Sequence, residues 1–178
     1  LEPRKMLAFE YVASYIETES PFHQVGDVST PSLDVSPQQI VLRFTPETQI
    51  DPSSLTGGIT VERSGRANDP FGTTGAFQDV TVSPGAIVVD DAPNQNQVVI
   101  RFANSLPDDT YQITISGLTT LPDATGATEQ FNDGASTTVP FRLSLGPNVV
   151  SVVPQPIDRP NLAGDPEDLS LSQSANKI

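Results

Sequence analysis

The chain has 178 residues, no cysteine, a single histidine and a net charge of −13. Without thiols there is no disulfide framework, no thiol nucleophile and no thiolate metal site. The acidity disfavours nucleic acid and anionic membrane surfaces, which need basic patches, and no run of about eighteen apolar residues exists to cross a bilayer.

Residues 1–8 stand apart as an N-terminal segment. Phe9, Val12, Ala13 and Ile16 fit a helical stripe, yet the same residues also suit a strand. The chain itself decides between them. Val12-Ala13-Ser14-Tyr15-Ile16 lies over Val149-Val150-Ser151-Val152-Val153, which ends at Pro154 and is poor helix material, so both are read as strands. Gln39–Phe44 alternates Ile40, Leu42 and Phe44 on one face. At 51–55, Asp51 can cap and Pro52 suits a first helical position, which predicts one helical turn. Strands follow over 59–62, 79–83, 86–89, 97–102, 111–116 and 137–145, each rich in Val, Ile, Thr or Phe and bounded by turn residues. The seventeen prolines and twelve glycines are too many for a helical bundle. Short strands with turn signals between them predict an all-β fold, an Ig-like antiparallel β-sandwich of seven to nine strands. Ile40, Leu42, Phe44, Val99 or Ile100, Tyr111, Ile113 and Ile115 are its predicted core.

Self-similarity extends further. Gly26-Asp27, Ser32-Leu33, Ser36 and Ile40 recur 138 positions later as Gly164-Asp165, Ser170-Leu171, Ser174 and Ile178, six identities in fifteen ungapped positions. A period this long implies whole domains in tandem. The expected division is a segment at 1–8, a sandwich at 9–145, and at 146–178 the opening strand segment of a second such domain, cut from something longer. No secretory signal is visible, so an export signal would lie upstream of Leu1.

The order of these pieces carries a resemblance. Ile40 to Phe44, then Ile50-Asp51-Pro52-Ser53-Ser54-Leu55 and Ile59-Thr60-Val61, resembles the middle of a bacterial Ig-like domain of the surface-layer type. Val98 to Phe102, Leu106-Pro107, Tyr111 to Leu118 and Asp123-Ala124-Thr125-Gly126 continue the pattern, with Ala127 where the family has Asn. Separately, Leu1-Glu2-Pro3-Arg4-Lys5-Met6-Leu7 resembles the LEPR-x-L-L segment near the N-termini of very large exported planctomycete proteins. Together these resemblances imply an extracellular or cell-surface protein built from repeated β modules.

Chemistry-bearing residues are few. Tyr111 opens a strand five residues after Leu106, where a sandwich tyrosine buries its ring and returns its hydroxyl to the backbone just upstream. Phe44 and Phe102 are expected to close the core, and Phe71 to tuck over a sheet edge. His23, beside Pro21 and Phe22, reads as an ordinary surface loop residue, and no Gly-x-Ser-x-Gly elbow exists to partner it. The loop acids Asp27, Asp90-Asp91 with Asn94 and Asn96, and Asp108-Asp109 have no basic neighbours in sequence. Calcium takes about six to eight oxygens, often from loop Asp and Asn, which makes Asp90, Asp91 and Asn94 the calcium candidates. Solvated acids serving as caps and turns are the preferred reading. No cofactor is expected. With no constellation of acid, base and nucleophile, the chain is expected not to be an enzyme. It reads as a structural or adhesive module whose partners are neighbouring Ig-like domains or copies of itself, assembling into a fibre or surface layer by strand pairing, with neither nucleic acid nor membrane insertion. The alternative is a calcium-dependent or carbohydrate-binding adhesion module engaging a surface polysaccharide, disfavoured by the absence of Trp and the three tyrosines.

Overall fold

A computed structural model describes residues 8–16, 20–65, 71–72 and 79–146. Most of the N-terminal segment and all but the first residue of the 146–178 segment lie outside the described residues, as does most of the loop around Phe71.

Among the described residues ten strands form two sheets: β1 (Tyr11–Tyr15), β2 (Pro21–Gln24), β3 (Ser32–Leu33), β4 (Gln39–Phe44), β5 (Ile59–Arg63), β6 (Val80–Val82), β7 (Ala86–Val89), β8 (Gln97–Arg101), β9 (Asp109–Ile115) and β10 (Thr137–Leu143). One sheet runs β2-β1-β4-β8-β7 and the other β3-β10-β9-β5-β6. Without the β2 edge, this is the two-sheet strand arrangement of an immunoglobulin sandwich. The count exceeds the seven to nine expected because β2 and the two-residue β3 join the edges. One pairing departs from an all-antiparallel sandwich: β3 runs parallel to β10, with Ser32 opposite Arg142 and Leu33 opposite Leu143.

Period-2 alternation explains the layers. In β9, Tyr111, Ile113 and Ile115 are buried while Thr110, Gln112 and Thr114 are half-buried. In β4, Ile40, Leu42 and Phe44 have no exposed surface and face Val98 and Ile100 of β8 within the core. All the expected core residues are buried. Phe9, Phe44 and Phe131 meet edge to face with centroids 5.6–5.8 Å apart, and Tyr111 stacks on Phe141 at 4.9 Å. Such pairs contribute about 0.5–1.5 kcal/mol each beyond area burial. Phe102 is only partly buried but packs against this core, and Phe71 is half-buried.

Local chemistry closes the ends. Asp51 Oδ1 accepts from the Ser53 amide at 2.9 Å and caps a 3-10 turn at Pro52–Leu55, with Pro52 at its start. The Asp123 carboxylate accepts from Thr125 N, Thr125 Oγ1 and Ala127 N, so the turn closes on Ala127. Pro140 lies mid-strand in β10 without cost. Arg142 and Ser144 donate to Pro31 and Leu33 on the β3 side, so position 140 points its missing N–H away from β9.

Candidate functional site

Two polar clusters are built into the sandwich. The first surrounds Asp109, which the sequence presents as a loop acid without a basic neighbour. It instead opens β9 at 1% exposure and accepts from Arg63 Nη1 at 3.1 Å, Ser64 Oγ at 2.7 Å, Gly65 N at 3.1 Å and its neighbour Thr110 N at 2.8 Å. Register explains the error. Arg63 is 46 positions away in sequence, and the β5–β9 ladder sets it opposite Tyr111. The neighbouring Tyr111 hydroxyl donates to the Pro107 carbonyl at 2.7 Å, as its spacing from Leu106 predicts. Burial pushes its phenol up to about 12, with the Asp109 charge adding to the rise. This cluster ties the end of β5 to the start of β9. Asp108 has a similar role, its Oδ1 accepting from Leu145 N at 2.7 Å.

The second cluster corrects the reading of His23, which lies in β2 with 5% of its surface exposed. The register Ser14↔His23 turns both side chains inward. Tyr11 Oη lies 2.7 Å from Ser14 Oγ and 3.1 Å from His23 Nδ1. His23 Nε2 is buried and has no hydrogen-bond partner among the described residues. Burial holds the imidazole below its ordinary range, opposed by the Asp27 charge, and burial pushes Tyr11 up to about 12. Asp27 accepts from Ser29 N and Oγ at 2.9 and 2.6 Å, which lowers its carboxyl.

These groups border a cleft of about 330 Å3 lined by Glu10, Tyr11, His23 and Asp27 on one side and by Asn132 and Thr138 on the other. It opens at the mouth of the sandwich because β3 covers β10 only at Arg142 and Leu143, while the chain leaves β2 through a turn at Gly26, whose φ is +84°. The sequence signal was two strand-like runs a few residues apart, a hairpin pattern obscured by Pro21 at the start of the second.

The calcium candidates Asp90, Asp91 and Asn94 form the β7–β8 hairpin turn. Asp90 Oδ1 accepts from Asp91 N at 2.9 Å, and Asn94 N donates to the Asp91 carbonyl at 2.8 Å. Asn96 Nδ2 donates to the Phe44 carbonyl at 2.9 Å. Among the described residues no three His, Asp or Glu side chains are grouped to hold a metal ion.

No protein-family model matches the chain, and no curated protein matches it. Solved structures give several likenesses, two of them as follows. One is to PcoC, a copper resistance protein from Escherichia coli, at 13% identity and a TM-score of 0.41, covering 65% of this chain and 92% of that one. The other is to domains 1-6 of the surface layer protein SbsC, at 15% identity and a TM-score of 0.42, covering 77% of this chain. This chain spans 14% of that SbsC structure.

Proposed function

We propose that the chain is a non-enzymatic structural module of an extracellular or cell-surface protein built from tandem Ig-like sandwiches. One observation carries this reading: what the sequence repeats at 138 positions is scaffold. In the first copy Gly26 makes a turn at positive φ and Asp27 holds Ser29. Ser32 and Leu33 are β3 itself. Ser36 Oγ accepts from Leu106 N at 2.7 Å, and Ile40 is core with no exposed surface. Selection that repeats fold-making residues repeats a fold. Residues 149–153 match β1, which sits between β2 and β4 in the first copy. The same slot in a following sandwich, on this chain or on a neighbouring copy, is where they pair. Strand addition of this kind satisfies an apolar face and a free backbone edge together. The acidic surface suits an exported protein in saline surroundings.

Antibody raised against the purified chain tests the placement. Labelling of intact source cells, or of the material they shed, is the expected result. Labelling only after the cells are broken open overturns the reading.

A further inference from the structure

We propose that the open edge of β7 joins two copies of this chain by antiparallel strand pairing about a two-fold axis at Val88. The inference goes beyond the tandem reading, since it concerns contact between separate chains and is measured on purified protein. β7 ends its sheet in the order β2-β1-β4-β8-β7. Its ladder sets Val88 opposite Val99 of β8 and continues through the bond from Asp90 N to the Gln97 carbonyl. Bonding in an antiparallel pair alternates along the strand, so Ile87 and Val89 turn their N–H and C=O groups to the open side. No backbone group of a loop or turn among the described residues bonds to them.

This edge is also undefended. Edge strands are ordinarily blunted by proline, by charge or by shortness. β2 opens on Pro21, β3 has two residues and β6 three. Ala86-Ile87-Val88-Val89 has four, with neither proline nor charge, and Val88 is 38% exposed.

Charge complementarity selects a second copy as the occupant. Pairing Val88 with Val88 of that copy sets Ile87 opposite Val89, and each such pair exchanges two backbone bonds. It also sets Ala86 opposite Asp90 of the second copy. Arg101 lies opposite Ala86 on the β8 side, so Arg101, Ala86 and that Asp90 stand in one row on one face. Arg101 is exposed and makes no ion pair among the described residues. Two strand spacings, about 10 Å, separate it from the second copy's Asp90, and its long side chain reaches across the small Ala86. The two-fold axis repeats the pair. The same register carries the row Val88, Val99, Val41 and Tyr15, successive neighbours across the outer face, on into the second copy. One short strand per copy covers far less than the about 1,600 Å2 of a standard interface. A single module therefore dimerises weakly, and repetition along an array supplies the strength.

The full chain is taken to millimolar concentration in analytical ultracentrifugation and in 15N spectra. A monomer–dimer equilibrium is expected, with the Ile87 and Val89 amides shifting and slowing in solvent exchange as the dimer fills. Val88→Lys places like charges at the axis, and Arg101→Asp and Asp90→Arg each place like charges across the seam. All three weaken dimerisation several-fold, with thermal unfolding confirming the fold of each. An equimolar mixture of Arg101→Asp and Asp90→Arg restores it, because the two variants are complementary to one another at the seam. A chain that stays monomeric at millimolar concentration overturns the proposal, as does a mixture that fails to associate. Association that persists in all three variants belongs to another surface, such as residues 149–153, and overturns it equally.

Discussion

Replacing Asp109 with alanine removes one acceptor from four donors at once. The carboxylate is buried at 1% exposure, while the Arg63 side chain beside it keeps 32% of its surface. That asymmetry sets the magnitudes. Loss of the buried member leaves Arg63 and the Gly65 and Thr110 amides without their acceptor. Buried donors left unsatisfied cost about 1–3 kcal/mol each, so about 3–5 kcal/mol in all is expected. Arg63→Ala removes one donor of the four, from a side chain about a third exposed, and Asp109 keeps the other three. After discounting for solvent screening, about 1 kcal/mol is expected. At about 3–4 °C per kcal/mol for a domain of this size, Asp109→Ala lowers Tm by roughly 10–20 °C and Arg63→Ala by a few degrees. Urea unfolding followed by circular dichroism gives both values, and the double variant gives their coupling. If Asp109→Ala costs no more than Arg63→Ala, the carboxylate is not what joins β5 to β9, and the reasoning fails.

Tyr111→Phe keeps the ring stacked on Phe141 and removes only the bond to Pro107, so a loss of about 1 kcal/mol in urea unfolding is expected. Gly58→Ala drives a Cβ into the Ser54 carbonyl, Leu118 Cδ2 and the Ser116 carbonyl, and an overpacking cost of about 2–3 kcal/mol should appear in the same assay. The folded pKa of His23 is depressed, so the unfolded chain takes up its proton first. Stability is then full above the unfolded value of 6.5 and falls as pH drops below it. The urea midpoint should be lower at pH 5.5 than at 7.5, and His23→Gln should flatten that difference. Asp27 and Asp123 are lowered carboxyls whose contribution is lost in a separate window, below their unfolded value of 3.8. A chain ending at Gly146 should still unfold as one cooperative unit, because the buried core runs from Phe9 to Leu143; loss of the cooperative transition would show that residues 147–178 contribute to the sandwich.

The strands that make the core were legible because their side chains alternate. β4, β9 and β10 put a Val, Ile, Leu or aromatic residue on successive alternate positions, and the period assigns their inward face, whereas the unbroken Val98-Val99-Ile100 run of β8 leaves its face open. The capped turn at Pro52 and the Tyr111 hydroxyl bond were legible for another reason: both join residues no more than four apart. What escaped was tertiary. β3 has two residues and exists only because β10 lies alongside it. β2 begins with a proline and has no alternation to announce it. Asp109 looks like a loop acid until β5 brings Arg63 across to it, and His23 looks like a surface residue until the hairpin folds it against Tyr11. Local pattern reports period and caps, whereas buried polar pairs are made by register.

The parallel contact between β3 and β10 joins one of the earliest strands of the sandwich to its last. The chain enters β3 at Ser32 and leaves β10 at Leu143, and because the two run in the same direction, a pull on the two ends slides one strand along the other. The bonds from Arg142 N to the Pro31 carbonyl and from Ser144 N to the Leu33 carbonyl, both 2.9 Å, then bear load side by side instead of opening one after another. In a string of such domains under tension, those few residues act as a mechanical clasp on the sandwich.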